Sequence, residues 1–312
     1  MTLQYKGARV PGPLGLYPGA LGGRIPGPLG FEHVDVSKGT ATKVATKTLA
    51  MPASTSGSST IIRARAVTWN LSKKSPLTED VKQGELANCP VAAILAALAH
   101  TASGKRRIND MITEYTGAPV KTTFSNDILT TLASKTEGDP DYRAPDKEIV
   151  SKRYFSVTLG PAVEVSDVFY VAYSDGTDVD MVYMGSPKEA LWPCVIEKAY
   201  ASKIGSYQEL DDDRKHTVNE FWAVLLGSKP QGFAINEKTD LNKISDAAKA
   251  ATRTPTIAAS RDDATRVADH HGFAILGLHG STIELYDPHG KKEKLSLTEF
   301  RKSFQAIFFG NP

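Results

Sequence analysis

The chain has 312 residues, 41% of them hydrophobic, and a formal net charge of +2 at pH 7, so it can bury a sizeable core and has no excess charge to steer it to an acidic partner. Basic blocks interleaved with aromatics, apolar runs of membrane-span length and a charged-then-apolar signal are all missing, which argues against nucleic acid and a membrane span and for a cytoplasmic protein, or one delivered to another cell without a classical signal peptide. Cys89 and Cys194 are the only cysteines, too few for a disulfide framework and without the paired spacing of a zinc site, as expected of a reducing compartment.

Residues 1–60 read as a low-complexity tail or linker. PGPLG, PGALG and PGPLG recur between residues 11 and 30, and ASTSGSST fills 53–60; proline and glycine at this density prevent both helix and strand ladder. A tether, a pro-segment and a docking arm for a secretion carrier or an inhibitor protein all suit such a segment. Order is expected near Thr60, where IIRARAVTW alternates like a strand. The run CPVAAILAALA then predicts a helix with Asn88 or Cys89 as cap, Pro90 in its first turn and Ser103-Gly104 as its stop. KRRINDMITEYTG reads as a second short helix ending at Gly117.

From about Arg153 the period changes to that of strands: RYFSVTL, VSDVFYVAY and VDMVYMG are β-branched and aromatic runs separated by turns. Acidic SDGTD and Asp211 to Asp213 read as solvated turns, with cation binding the rarer use. Ser186-Pro187-Lys188-Glu189 has the signature of a helix start, and Trp192, Val195, Ile196, Ala199 and Tyr200 fall on one face of the helix it would open; Cys194 reads as packing on that helix. Thr217 to Glu220 is a further capping box, opening FWAVLL up to Gly227. GSKPQG is the expected boundary, giving a helical lobe at 61–228 and a β-rich lobe at 229–312. The second region reads as a helix near 240–251, strands TPTIAAS, HGFAILGL and STIELYD, the short helix LTEFRKSF and a final strand QAIFF. The fold class is therefore α+β.

Two stretches carry chemistry. Cys89 at a helix N-terminus sits where unpaired N–H groups and the helix dipole favour thiolate, and Gln83, six residues upstream, supplies an amide donor that can share an oxyanion with the Cys89 N–H. In the later hairpin, a three-residue connection around Gly280 would set Ile275 opposite Leu285 and Phe273 opposite Asp287, with His271 diagonal to Asp287 on the buried face. A two-residue loop would break that match. Histidine beside a carboxylate is what a general base for a thiol needs, whereas His270 points to the opposite face and His289, beyond Pro288, would be held loosely.

QGELANC, LWPCVIEKAYASKIGSYQEL, HGFAIL and YDPHG, in that order and spacing over roughly residues 65 to 312, resemble the landmarks of the calpain-like cysteine protease core. The resemblance implies a papain-like fold in two lobes, with Cys89 as nucleophile, Gln83 as oxyanion donor, His271 as base and Asp287 orienting it. It also implies a protein or peptide substrate, no cofactor in the chemistry and calcium as an activator. The acidic loops on which calcium control depends do not align, which leaves that control and any metal ligand open. The family usually has Asp-Cys-Trp where this chain has Asn88-Cys89-Pro90, and asparagine and tryptophan where it has Asp287 and His289. A protease core behind a Pro/Gly-rich tail also looks like some bacterial effector or toxin proteins. The expected activity is cysteine endopeptidase. Thiol acyl transfer on the same scaffold, such as deamidation or transglutamination, a catalytically weak protein-binding module, and a carrier-linked role of the tail are its competitors.

Overall fold

The computed structural model describes residues 61–310 except 72–74, 85, 124–147, 175–177, 182, 206, 208–209 and 211–217, so the tail, the Asp211 to Asp213 run and Thr217 lie outside the described residues. The chain folds as a mixed α+β protein with helical and antiparallel β regions. Strands β1 (Ile61–Ala66), β5 (Val168–Ser174) and β6 (Asp178–Met181) form one three-stranded sheet, and β2 (Ile112–Thr123), β3 (Glu148–Thr158) and β4 (Ala162–Ser166) form another. A six-stranded sheet follows in the order β11-β10-β9-β8-β12-β7, built from β7 (Gln231–Ala234), β8 (Thr256–Ser260), β9 (Gly272–His279), β10 (Thr282–Asp287), β11 (Lys291–Ser296) and β12 (Phe304–Phe309). Every pairing between these strands is antiparallel. No helix among the described residues is long and apolar enough to cross a membrane.

Helix α1 (Cys89–His100) is buried on every side from Cys89 to Ala99, which is why its sequence is apolar without a stripe. It ends three residues before the expected stop. Thr101 breaks it and caps α2 (Ala102–Met111) by accepting from the Gly104 N–H at 3.1 Å, so Ser103-Gly104 opens the second helix instead of closing the first. A Cβ on Gly104 would lie 2.2 Å from the Leu98 carbonyl oxygen, so the tight corner between the helices requires glycine. The expected helix through Gly117 also fails: Ile112 onward is β2, whose β-branched Ile112, Thr113 and Thr116 pair with β3.

At Ser186 the cap signature produces a turn and no helix. Ser186 Oγ accepts from the Lys188 and Ala190 N–H groups, Glu189 takes φ +55°, and α3 (Trp192–Ile204) starts at Trp192 with proline in its first turn. Trp192 to Ala201 is buried throughout, Glu197 and Lys198 included, so this is an interior helix and not an amphipathic one. The remaining helices, α4 (Val218–Leu226), α5 (Leu241–Ala250) and α6 (Leu297–Ser303), fall where periodicity puts them, the last two capped by Asp240 and Ser296. β7 is too short and β11 too polar to read from sequence.

The β9–β10 pair separates two hydrophobic cores. Ala274, Leu276 and Tyr286 join α1 to α4 in the larger core, while Phe273, Ile275, Ile283 and Leu285 pack with α5 and α6 in the smaller. The hairpin between them differs from expectation in an instructive way. Thr282 pairs with His279, so the connection is the two residues Gly280-Ser281, yet Leu285 still faces Ile275, because a bulge leaves Leu276 unpaired. Gly277, at φ +152°, takes the backbone through the bulge, and His100 at the end of α1 donates from Nε2 to the Leu276 carbonyl at 2.6 Å.

Candidate functional site

The segment before α1 is sewn to the end of β10. Tyr286 Oη donates to the Val81 carbonyl at 2.7 Å, the Gln83 N–H donates to the Pro288 carbonyl at 2.8 Å, and Lys292 pairs with Glu79 at 2.8 Å. These bonds bring the cysteine loop to the Asp287-Pro288-His289 turn. Strand β9 completes the approach. A Cβ on Gly272 would stand 3.2 Å from the Cys89 carbonyl oxygen and 3.3 Å from its carbon, and the Cys89 sulfur lies 4.0 Å from the His270 carbonyl oxygen. With glycine beside His271 the start of α1 comes this near without any shift, whereas a side chain there would press on the Cys89 carbonyl.

His271 is held from three directions. Its N–H donates to Ser260 Oγ at 2.8 Å, its ring meets Phe273 edge-on at 4.9 Å, and its Nε2 lies 3.0 Å from Asp287 Oδ1. His270, with φ +45°, turns outward and its Nε2 lies 3.0 Å from Asp262. His289, expected to be loose, is fixed: its N–H and its Nδ1 both lie 2.9 Å from Asp287 Oδ1, and its ring stacks on His271 at 4.8 Å between centroids. A short turn in which an aspartate oxygen accepts from the backbone N–H two residues on explains the difference, and Asp-Pro-His was its sequence signal.

The electrostatics follow from these contacts. Burial disfavours a charged His271, but the neighbouring Cys89 charge, the bond to Asp287 and a hydrogen bond with Cys89 raise it to about 9. Burial likewise works against the Asp287 carboxylate, but the bonds from His271 and His289 outweigh it and hold the group well below the usual carboxylate range. Nε2 being taken by Asp287, Nδ1 is the nitrogen left for the sulfur; it is buried and makes no hydrogen bond to a nitrogen or oxygen. Cys89 and Cys194 are both buried and neither is in a disulfide, and burial pushes the Cys194 thiol well above its usual range, with Glu197 adding to it. Gln83 is near this cluster but its amide is engaged: Nε2 donates to the Leu86 carbonyl at 2.7 Å, and Oε1 is buried without a partner.

No protein-family model matches this chain, and no curated protein matches it.

Two further residues escaped the sequence. Asn88 stands at the N-cap position of α1 but makes no side-chain cap; its Nδ2 donates to Glu197 Oε1 at 2.6 Å, and the Met184 N–H donates to Oε2 at 2.9 Å. Glu197 is fully buried, and burial raises it to about 7 against both bonds. A lone carboxylate on an interior helix was the available signal. Last, the ligand atoms of His271, Asp287 and His289 lie within 4.8 Å of one another, so the cluster is capable of holding a metal ion. Two nitrogens and one oxygen are not a calcium-like set, since calcium takes oxygens.

Proposed function

We propose that this chain is a calpain-like cysteine endopeptidase with a papain-like, two-lobed arrangement. The observation that carries the reading is a fully buried imidazole held by a carboxylate through Nε2, with the thiol at the start of a buried helix acting on it from the other side. In the proposed cycle His271 takes the Cys89 proton, the thiolate attacks the peptide carbonyl, and the oxyanion is met by the Cys89 N–H and the Gln83 amide. The imidazolium then protonates the leaving amine, and water, activated by the same ring, releases the acyl group. Asp287 keeps the ring oriented and stabilises its charged form. Calcium enters only as an activator acting away from the His271, Asp287 and His289 cluster.

A second reading has its own support. The Cys89 side chain is inaccessible and one Gln83 amide hydrogen is spent on Leu86, features that suit a catalytically weak binding module as well as an enzyme awaiting its substrate. Mass spectrometry of a proteome incubated with the protein and with Cys89→Ala separates these. New peptide termini that depend on Cys89 support the protease, shifts of about one mass unit at glutamine support deamidation on the same thiol chemistry, and identical proteomes overturn the enzyme.

A further inference from the structure

Asp287 Oδ1 is an unusual acceptor. Two imidazole nitrogens point at the same oxygen, His271 Nε2 at 3.0 Å and His289 Nδ1 at 2.9 Å, and the His289 N–H adds a third donor at 2.9 Å. The rings are stacked and the His271 ring is wedged against Phe273, so neither nitrogen can swing away without breaking a packed contact. The Asp287 and His289 side chains are 12% and 16% exposed and that of His271 is not exposed, which gives the cluster one open edge. We propose that this His271–Asp287–His289 cluster binds a divalent transition-metal ion of zinc type, and that the bound ion switches the site off.

Zinc takes nitrogen and oxygen donors at about 2.0–2.1 Å in a tetrahedron, which sets them about 3.3 Å apart, so the two nitrogen–oxygen spacings need to open by a few tenths of an ångström and the two nitrogens, within 4.8 Å of each other, to approach the same value. Two imidazoles with one carboxylate, and a fourth position at the open edge for water, form a familiar set for such an ion. The proton balance is simple. The ion replaces the protons between each ring and Oδ1; in a neutral His289 that proton moves to Nε2, and in His271 the remaining proton resides on Nδ1, the buried nitrogen without a nitrogen or oxygen partner, where it can donate to the Cys89 sulfur. If His271 is imidazolium beforehand, one proton leaves to solvent. With Nε2 on the metal and Nδ1 protonated, the ring has no lone pair left to accept a proton from a thiol or from the water that releases the acyl group. The shut-off rests on the proposed protease chemistry; the binding does not.

The test is titration of the full-length, metal-stripped protein with zinc chloride by calorimetry and with cobalt chloride by visible absorption. One ion per chain is expected, with a cobalt spectrum lacking the intense sulfur-to-metal band. His289→Phe keeps a ring over His271 but removes its nitrogen, and should weaken binding at least ~10-fold, the lower end of what loss of even an indirect partner costs. Cys89→Ala should leave affinity within about threefold, since the thiol is not a ligand in the proposed set. Absence of binding by the wild-type protein overturns the proposal, as does a sulfur band or a site lost in Cys89→Ala but kept in His289→Phe. Because these readouts are binding isotherms and spectra, an inactive protein would sink the protease reading without touching this one.

Discussion

Replacing Glu197 by glutamine should change how stability depends on pH. Its carboxyl is raised to about 7 in the folded protein, against 4.5 for the ordinary group, so between those values the folded chain holds a proton that the unfolded chain has released. Stability from this group is therefore complete below the unfolded value and is lost as pH rises through the folded one. The shift corresponds to about 3 kcal/mol, most of it lost between about pH 5 and pH 8. Lys198, next along α3, is lowered by burial to about 7 against the pull of Asp167, so it acts in the opposite sense and on the alkaline side: the unfolded chain holds the extra proton there, and stability rises with pH. Urea unfolding followed by tryptophan fluorescence, run on wild type and Glu197→Gln across the pH range, isolates the carboxyl, since every other titration is common to both. The wild type should lose about 2–3 kcal/mol relative to the variant over that interval. Parallel curves would refute the reasoning and mean that Asn88 and Met184 keep the group ionised throughout.

Gly272→Ala should fold, at a cost of about 1–3 kcal/mol from overpacking, yet lower peptide hydrolysis by at least tenfold, on the order of what misplacing a catalytic group costs, because the new methyl presses on the Cys89 carbonyl; an unchanged rate would show that the gap gives freely. His271→Ala should abolish turnover and His270→Ala, whose ring pairs outward with Asp262, should keep most of it; a folded but inactive His270 variant, measured by the same assay, would contradict the assignment of the base. Both thiols are buried, so iodoacetamide reaches either only on local opening; it should then label Cys89 before Cys194, whose thiol burial and Glu197 hold high, and peptide mapping that finds Cys194 labelled first would reverse the choice of nucleophile.

Helices α1, α4, α5 and α6 were legible from their apolar runs and periodicity, and eight strands, β1, β3, β5, β6, β8, β9, β10 and β12, were legible from β-branched or aromatic runs of period two. The helix expected at Ser186 was misread because the same Ser-Pro signature also serves a turn whose hydroxyl accepts backbone N–H groups, and only the packing of Trp192 decides between them. ITEYTG continued a helix pattern until its pairing with β3 overrode propensity. At the candidate site, Cys89, His271 and Asp287 were found because each lies on an element whose face could be predicted. Glu197 and His289 were not, since their partners, Asn88 109 positions away in one case and a shared oxygen in the other, exist only once the chain has folded.

The bulge at Leu276 makes the β9–β10 hairpin self-correcting, like a belt with two holes. Loop length and bulge each move the pairing by one residue, and here they cancel, so the end carrying His271 and Asp287 is indifferent to which combination the far end uses. A chain with one more residue after Gly280 and none spare at Leu276 would present the same two side chains in the same relation. Alignments across this hairpin should therefore tolerate a paired one-residue insertion and deletion. His100, which grips the bulged carbonyl from the end of α1, would be the residue to change with it.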